Sequence, residues 1–191
     1  GSPASGVSLL LRFYNGSAWS TYATTTTNAS GYFAFTGVPS LVSGQYYYVR
    51  YNNPGDNTRL WTWSTQYLSA YTAGSNVPIG NFDLANVPQS SPLNTTVALP
   101  YTFTWVKRSA SPTDSYQLYL YDAVSLSWTS AYLGYVNYYT LNTIPAGFSI
   151  SVPYRWYVIA NSPDGGYGGS YYYYNVTFSN TGLAPASIVP K

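Results

Sequence analysis

The chain reads as an all-β protein, two antiparallel β-sandwiches in tandem, and three observations predict it. Glycine and proline interrupt the sequence about every ten residues, as turns between short strands require. The runs between them are rich in Val, Thr, Tyr, Phe and Trp, which suit a pleated, half-buried surface. Helix start and stop signals are nearly absent. At 191 residues the chain is long enough for two small β domains or one large one.

The elements follow in order. Val7, Leu9, Leu11 and Phe13 alternate on one face of a first strand, and Asn15-Gly16 is placed to supply the positive φ angles of a tight hairpin. Trp19 to Thr26 returns, Asn28 to Gly31 turns, and Tyr32 to Phe35 is expected to pair next. Gln45 to Tyr51 reads as a strand with aromatic rings on both faces. Ile79 to Ala85 closes the unit, with Phe82 and Leu84 inward if alternation holds. Asn86-Val87-Pro88-Gln89-Ser90-Ser91-Pro92 reads as a stiff spacer, dividing the chain into units 1–87 and 88–191 set at a preferred angle. The second unit offers strands at Tyr101 to Val106, Ser115 to Tyr121, Leu126 to Ser130, Val136 to Leu141, Tyr154 to Asn161 and Tyr171 to Phe178. Alternation turns Trp105 and Trp156 inward, and side chains of that size fill much of a small sandwich core.

Chemistry is limited by what is missing. The chain has no His, Cys, Met or Glu, whereas 24 positions are Tyr. Imidazole and thiol nucleophile systems are excluded, and so are the usual zinc and transition-metal ligand sets. No cofactor is implied. Acid–base work is left to Asp56, Asp83, Asp114, Asp122 and Asp164, each in a turn-like context where Asp usually bonds its own backbone. These observations argue against an enzyme. A chain without thiol or thioether suits exposure outside a cell. Charged residues make up only 6% and the net charge is +2, which leaves no basic stripe for nucleic acid. No stretch is apolar enough to cross a bilayer as a helix. The start at Gly1-Ser2-Pro3 reads as a processed end or a cloning scar.

Two resemblances accompany these readings. Thr24-Thr25-Thr26-Thr27-Asn28-Ala29-Ser30-Gly31-Tyr32-Phe33-Ala34-Phe35, followed by Gly44-Gln45-Tyr46-Tyr47-Tyr48-Val49, resembles the prealbumin-like sandwiches of carboxypeptidase regulatory domains and of B-type repeats in bacterial surface proteins. Some members of that family carry a Lys to Asn/Asp isopeptide bond; this half has no Lys and no Glu, so it cannot form one. Phe103-Thr104-Trp105, Asp114-Ser115-Tyr116-Gln117-Leu118-Tyr119, Tyr139-Thr140-Leu141 and Tyr154-Arg155-Trp156-Tyr157-Val158-Ile159-Ala160 resemble a fibronectin type III or related immunoglobulin-like module, which Val176-Thr177-Phe178 completes. Both families imply extracellular scaffolds, and neither implies one function.

Tyrosine directs attention to the surface. Tyr46-Tyr47-Tyr48 and Tyr171-Tyr172-Tyr173-Tyr174 fall on expected strands, so each run presents rings on two faces. Tyr46, Tyr48, Tyr171 and Tyr173 are therefore the expected contact residues, because Tyr buries much area at low entropy cost. A sugar site is a second expectation, at Trp61 and Trp63 beside Asp56 and Asn57; one core Trp plus one rim Trp is the alternative. Asn15, Asn28, Asn94 and Asn175 head N-x-Ser/Thr sequons and are candidate glycosylation acceptors. The Asn52 to Asn57 loop lacks the spacing of a calcium loop and reads as a turn. The tails Gly1 to Gly6 and Leu183 to Lys191 are expected to pack on a neighbouring copy, by strand addition to an open edge. The resulting expectation is a secreted or cell-surface structural subunit that self-associates through termini or edge strands, with a glycan-binding adhesive module as the alternative.

Overall fold

The computed structural model describes residues 3–80 and 83–180, and among them all regular structure is β. The strands are β1 Ser8–Tyr14, β2 Trp19–Thr26, β3 Tyr46–Asn52, β4 Thr62–Ser64, β5 Gln89–Ser91, β6 Thr95–Ala98, β7 Tyr101–Trp105, β8 Ser115–Tyr121, β9 Ser127–Thr129, β10 Tyr138–Leu141, β11 Pro153–Asn161, β12 Tyr167–Gly169 and β13 Tyr174–Ser179. They form two sheets. Ten strands run in the order β2-β1-β3-β4-β12-β11-β13-β6, with β8 and then β9 on the other side of β11, and three run β10-β7-β5.

Alternation decides the large sheet's two faces. Leu9 and Leu11 on β1, Tyr47, Val49 and Tyr51 on β3, Tyr116, Leu118 and Leu120 on β8, and Tyr154, Trp156, Val158 and Ala160 on β11 are all buried. Their sequence neighbours point outward. One row crosses five strands in register: Tyr51 beside Trp63, Gly168, Ala160 and Tyr116. At Gly168 a Cβ would run into the Thr62 carbonyl oxygen and the Trp63 ring, so only glycine lets β4 and β12 close up here.

From residue 88 on, the large sheet faces the three-stranded one across an aromatic core. Phe103, Trp105, Trp156 and Phe178 are buried, with Phe103 edge-on to Trp156 at 5.0 Å between centroids. The Trp105 Nε1 donates to the Val136 carbonyl and the Trp156 Nε1 to the Pro92 carbonyl, so neither indole is buried without a partner.

Before residue 86 the arrangement differs from the expected sandwich. The inner face of β1 and β3 is covered by coil rather than by a second sheet. Tyr32 to Phe35 form no strand: β2 keeps an open outer edge, and the segment lies across the inner face instead. Its rings still pack on the core, Phe33 and Phe35 lying edge to face at 6.1 Å. Of the expected strand Ile79 to Ala85, Phe82 lies outside the described residues; Leu84 is buried, and Ala85 makes a single bridge with Arg59. Asn15-Gly16 also makes a wider turn than expected. Only Gly16 has positive φ, and Tyr14 pairs directly with Trp19 across a loop tied by the Asn15 Oδ1, which accepts from the Ser17 and Ala18 amides.

The spacer is built into the fold. Val87 is fully buried, Gln89 to Ser91 form β5 against β7, and the Pro92 carbonyl anchors Trp156. A buried ion pair of the later region lies beside it: the Arg108 Nε and Nη2 reach the Asp114 Oδ2 at 2.8 and 2.6 Å. The same guanidinium donates to the Asp83 carbonyl and lies 4.9 Å from the Trp63 ring centroid. Burial pushes the Asp114 carboxyl up, against the pull of Arg108. Of the terminal segments, Pro3 to Gly6 are tied to their own chain, Gly6 donating to the Thr27 carbonyl and the Thr27 hydroxyl to the Ala4 carbonyl. Residues 1–2 and 181–191, on which much of the expected tail packing falls, lie outside the described residues.

Candidate functional site

The outward face of the large sheet carries the expected Tyr46 and Tyr48, and strand register adds others. On β1, β2 and β3 the last two rows read Arg12, Thr21, Tyr48 and Tyr14, Trp19, Tyr46. Tyr67, from the segment after β4, completes a cluster. Trp19 lies 4.9 Å from Tyr48 and 5.4 Å from Tyr67, Tyr48 lies 5.3 Å from Tyr67, and Tyr14 stacks on Tyr46 at 6.0 Å. Trp19 and Tyr67 are exposed. Further along the same face, Tyr119 packs 4.9 Å from Tyr157, with Tyr121 and Tyr173 beyond them.

The two clusters meet at the β4–β12 seam. Burial, with Tyr167 and Tyr48 nearby, pushes the Tyr67 phenol up. Burial again, with Tyr119, Tyr121 and Tyr167 nearby, pushes the Tyr157 phenol far up. Tyr157 lies over Gly169, where a Cβ would press on its ring at 3.1 Å. Ionising the Tyr67 and Tyr157 phenols is thereby disfavoured.

Three cations share this face: Arg12 on β1, Arg50 on β3 and Arg155 on β11. Among the described residues the ion pairs are Arg59–Asp56 and Arg108–Asp114, so none of the three faces a carboxylate at bonding distance. Arg12 Nη1 donates to the Thr21 hydroxyl, and its buried Nε has no hydrogen-bond partner. Arg50 Nε donates to the Asn52 side chain, and Arg155 lies 4.6 Å from the Tyr173 ring centroid.

Tyr171 and Tyr173 are not on a strand, as the sequence led one to expect. Their backbone is diverted to side chains of the 86–92 segment: the Tyr171 amide donates to the Asn86 Oδ1, and the Gln89 Nε2 donates to the Tyr172 carbonyl at 2.6 Å. Pairing resumes only at Tyr174. The detour splits the pair, Tyr173 joining Arg155 and Tyr171 meeting Trp61 at 5.8 Å.

The expected sugar site divides as well. Trp63 is a core residue on the row described above and is closed to ligand. Trp61 is exposed and gathers Tyr171, then Tyr172, whose ring lies 4.6 Å from that of Tyr171. Asn57 Nδ2 reaches the Tyr172 hydroxyl at 3.4 Å. Asp56 instead binds its own turn, accepting from the Thr58 amide and hydroxyl, which hold its carboxyl below the usual value. In the Asn52 to Asn57 loop the Asn53 side chain accepts from Gly55 and Asp56 amides and donates to the Asp56, Arg59 and Leu60 carbonyls.

The other carboxylates are also committed to structure. Asp122 accepts three amides, Asp164 the Gly166 amide, and Asp83 the Ala85 amide with the Ser111 hydroxyl. Among the described residues no group of three His, Cys, Asp or Glu is placed to hold a metal. Among the described residues, no helix is long and apolar enough to cross a membrane. All four sequon asparagines, Asn15, Asn28, Asn94 and Asn175, are exposed, and the Asn94 Oδ1 accepts the Asn175 amide.

Fold and site together define an all-β protein with one aromatic, arginine-bearing sheet face. Compared with protein-family models and with curated proteins, the chain matches none.

Proposed function

We propose that this is a non-enzymatic extracellular structural protein, the subunit of a fibre or surface stalk that joins its copies edge to edge. The observation that carries the reading is β2. It is an outer strand eight residues long, Trp19–Thr26, with no charge and no proline. Proteins that stay monomeric usually blunt such an edge. Here the blunting is limited to one bulge, where Tyr22 has no partner between the Leu11–Ala23 and Arg12–Thr21 pairs. A strand added to β2 carries the Tyr46 and Tyr48 cluster to the joint, and the terminal segments are natural donors. The large sheet's β6-β13-β11-β8-β9 portion opposite β5-β7-β10 supports an immunoglobulin-like second unit, and the prealbumin-like first unit is retained here with its second layer as coil.

Electron microscopy and light scattering of the purified chain at high concentration test the proposal. Assembly is expected for the wild type and its loss for Thr24→Lys, which sets a charge on the edge. A monodisperse wild-type monomer rejects the reading. A second reading, a glycan-binding module, is favoured by the exposed Trp61 with Tyr171, Tyr172 and Asn57. Glycan-array binding that disappears in Trp61→Ala would select it.

A further inference from the structure

We infer that the outward face of the large sheet binds an acidic polysaccharide of the uronic acid class. The face has two chemical components in alternation. Rings of Trp19, Tyr48, Tyr67 and Tyr157 supply flat surfaces and hydroxyls against which sugar rings stack and bond. Arg12, Arg50 and Arg155 supply guanidiniums without a carboxylate of their own among the described residues.

Charge complementarity selects the occupant. The three arginines are among only seven cations in the chain, and none of the five carboxylates lies on the strands of this face. A guanidinium presents a planar fork of donors that matches a carboxylate with two parallel hydrogen bonds. Neutral sugars use the rings but leave the forks idle. Strand spacing makes the surface long enough for a polymer: from β2 through β11 to β9 the sheet is eight strands wide, roughly 34 Å at about 4.8 Å between neighbours. Arg12 and Arg50 stand on adjacent strands near one end, two residues apart in register, while Arg155 stands on β11 beyond the seam. A ligand meeting all three therefore crosses from one region of the chain to the other.

This site shares no residue with the Trp61 cluster. It adjoins the joint that strand addition to β2 would form, through Trp19 and Tyr48, and is therefore tested on the monomer.

The test is a titration with polygalacturonate oligomers, made at a protein concentration where light scattering shows monomer, so that failure to assemble has no bearing on it. Binding is expected, weakening as salt rises. Arg50→Gln and Arg155→Gln should each lower affinity about tenfold, the scale of one charged hydrogen bond. Tyr48→Ala should lower it several-fold. Lys107→Gln removes the same charge from the segment after β7, where Lys107 sits over Tyr135, and should leave affinity unchanged. Arg50 and Arg155 lie in different regions, so either variant serves if the other fails to fold, as judged by its unfolding midpoint. The inference is overturned by no binding, by equal binding of neutral dextran, by an equal loss in Lys107→Gln, or by tighter binding of a single-stranded oligo-dT.

Discussion

Residues 3–80 and 88–180 share one sheet and solve the problem of covering it in different ways. The later region sets a second sheet against it, with Phe103, Trp105, Trp156 and Phe178 closed between the two. The earlier region covers β1 and β3 with coil, and a pocket of about 590 Å³, open to solvent, remains, lined by Leu11, Phe33, Phe35, Tyr47 and Tyr71 among others. A sheet face can thus be kept dry without a second ladder, but the cover is less closely fitted. Close packing is where large-to-small changes cost most.

That difference ranks the expected effects of substitution. Trp156→Ala should be the most damaging, costing about 3–5 kcal/mol in chemical denaturation, since it opens a void in the two-sheet core and frees the Pro92 carbonyl. Arg108→Met should cost about 3 kcal/mol by leaving Asp114 buried without its partner, and adding Asp114→Leu should recover much of the loss. A double variant no more stable than the single would show that the Trp63 and Asp83 contacts, not the pair, matter. Leu11→Ala should cost about 2 kcal/mol, at the low end for a buried leucine, because it lines an existing pocket whose coil cover can relax. If it costs as much as Trp156→Ala, the two covers are equally rigid and the comparison fails.

Within the neutral range the smallest effect is with pH. Tyr47 and Tyr67 in the first region, and Tyr116, Tyr121 and Tyr157 in the second, all have phenols pushed above the ordinary value of 10.0, chiefly by burial. A group whose folded value is raised holds its proton more tightly in the folded chain. The stability this brings is complete below pH 10 and is lost as pH climbs from there toward the folded values. Thermal unfolding midpoints should therefore be flat in the neutral range as far as these phenols go and fall above pH 10. Absorbance of phenolate should rise together with unfolding.

Alternation made much of this fold legible. Leu9 and Leu11, Tyr47 and Val49, and Trp105 and Trp156 sit inward, as their spacing implies. The coil cover was not legible, because Tyr32 to Phe35 has the composition of a strand and only the packing of Phe33 and Phe35 on the core shows it lying across the sheet. β4 and β12 were missed for a related reason: each has three residues, and Tyr167-Gly168-Gly169 reads as a turn until Gly168 is seen against Thr62 and Trp63. Of the candidate site, Tyr46 and Tyr48 were readable from one strand alone. Arg12, Arg50 and Arg155 were not, since they are single charges far apart in sequence and only strand register brings them to one face.

The seam at Gly168 has a practical consequence for anyone dividing the molecule. Separating the chain near residue 87 strips β4 and β12 of each other and leaves a fresh, unpaired strand margin on both pieces. Such fragments should be poorly behaved alone yet recognise one another when mixed, making the protein a natural split pair. Gly168→Ala would abolish that recombination while leaving the two fragments otherwise unchanged.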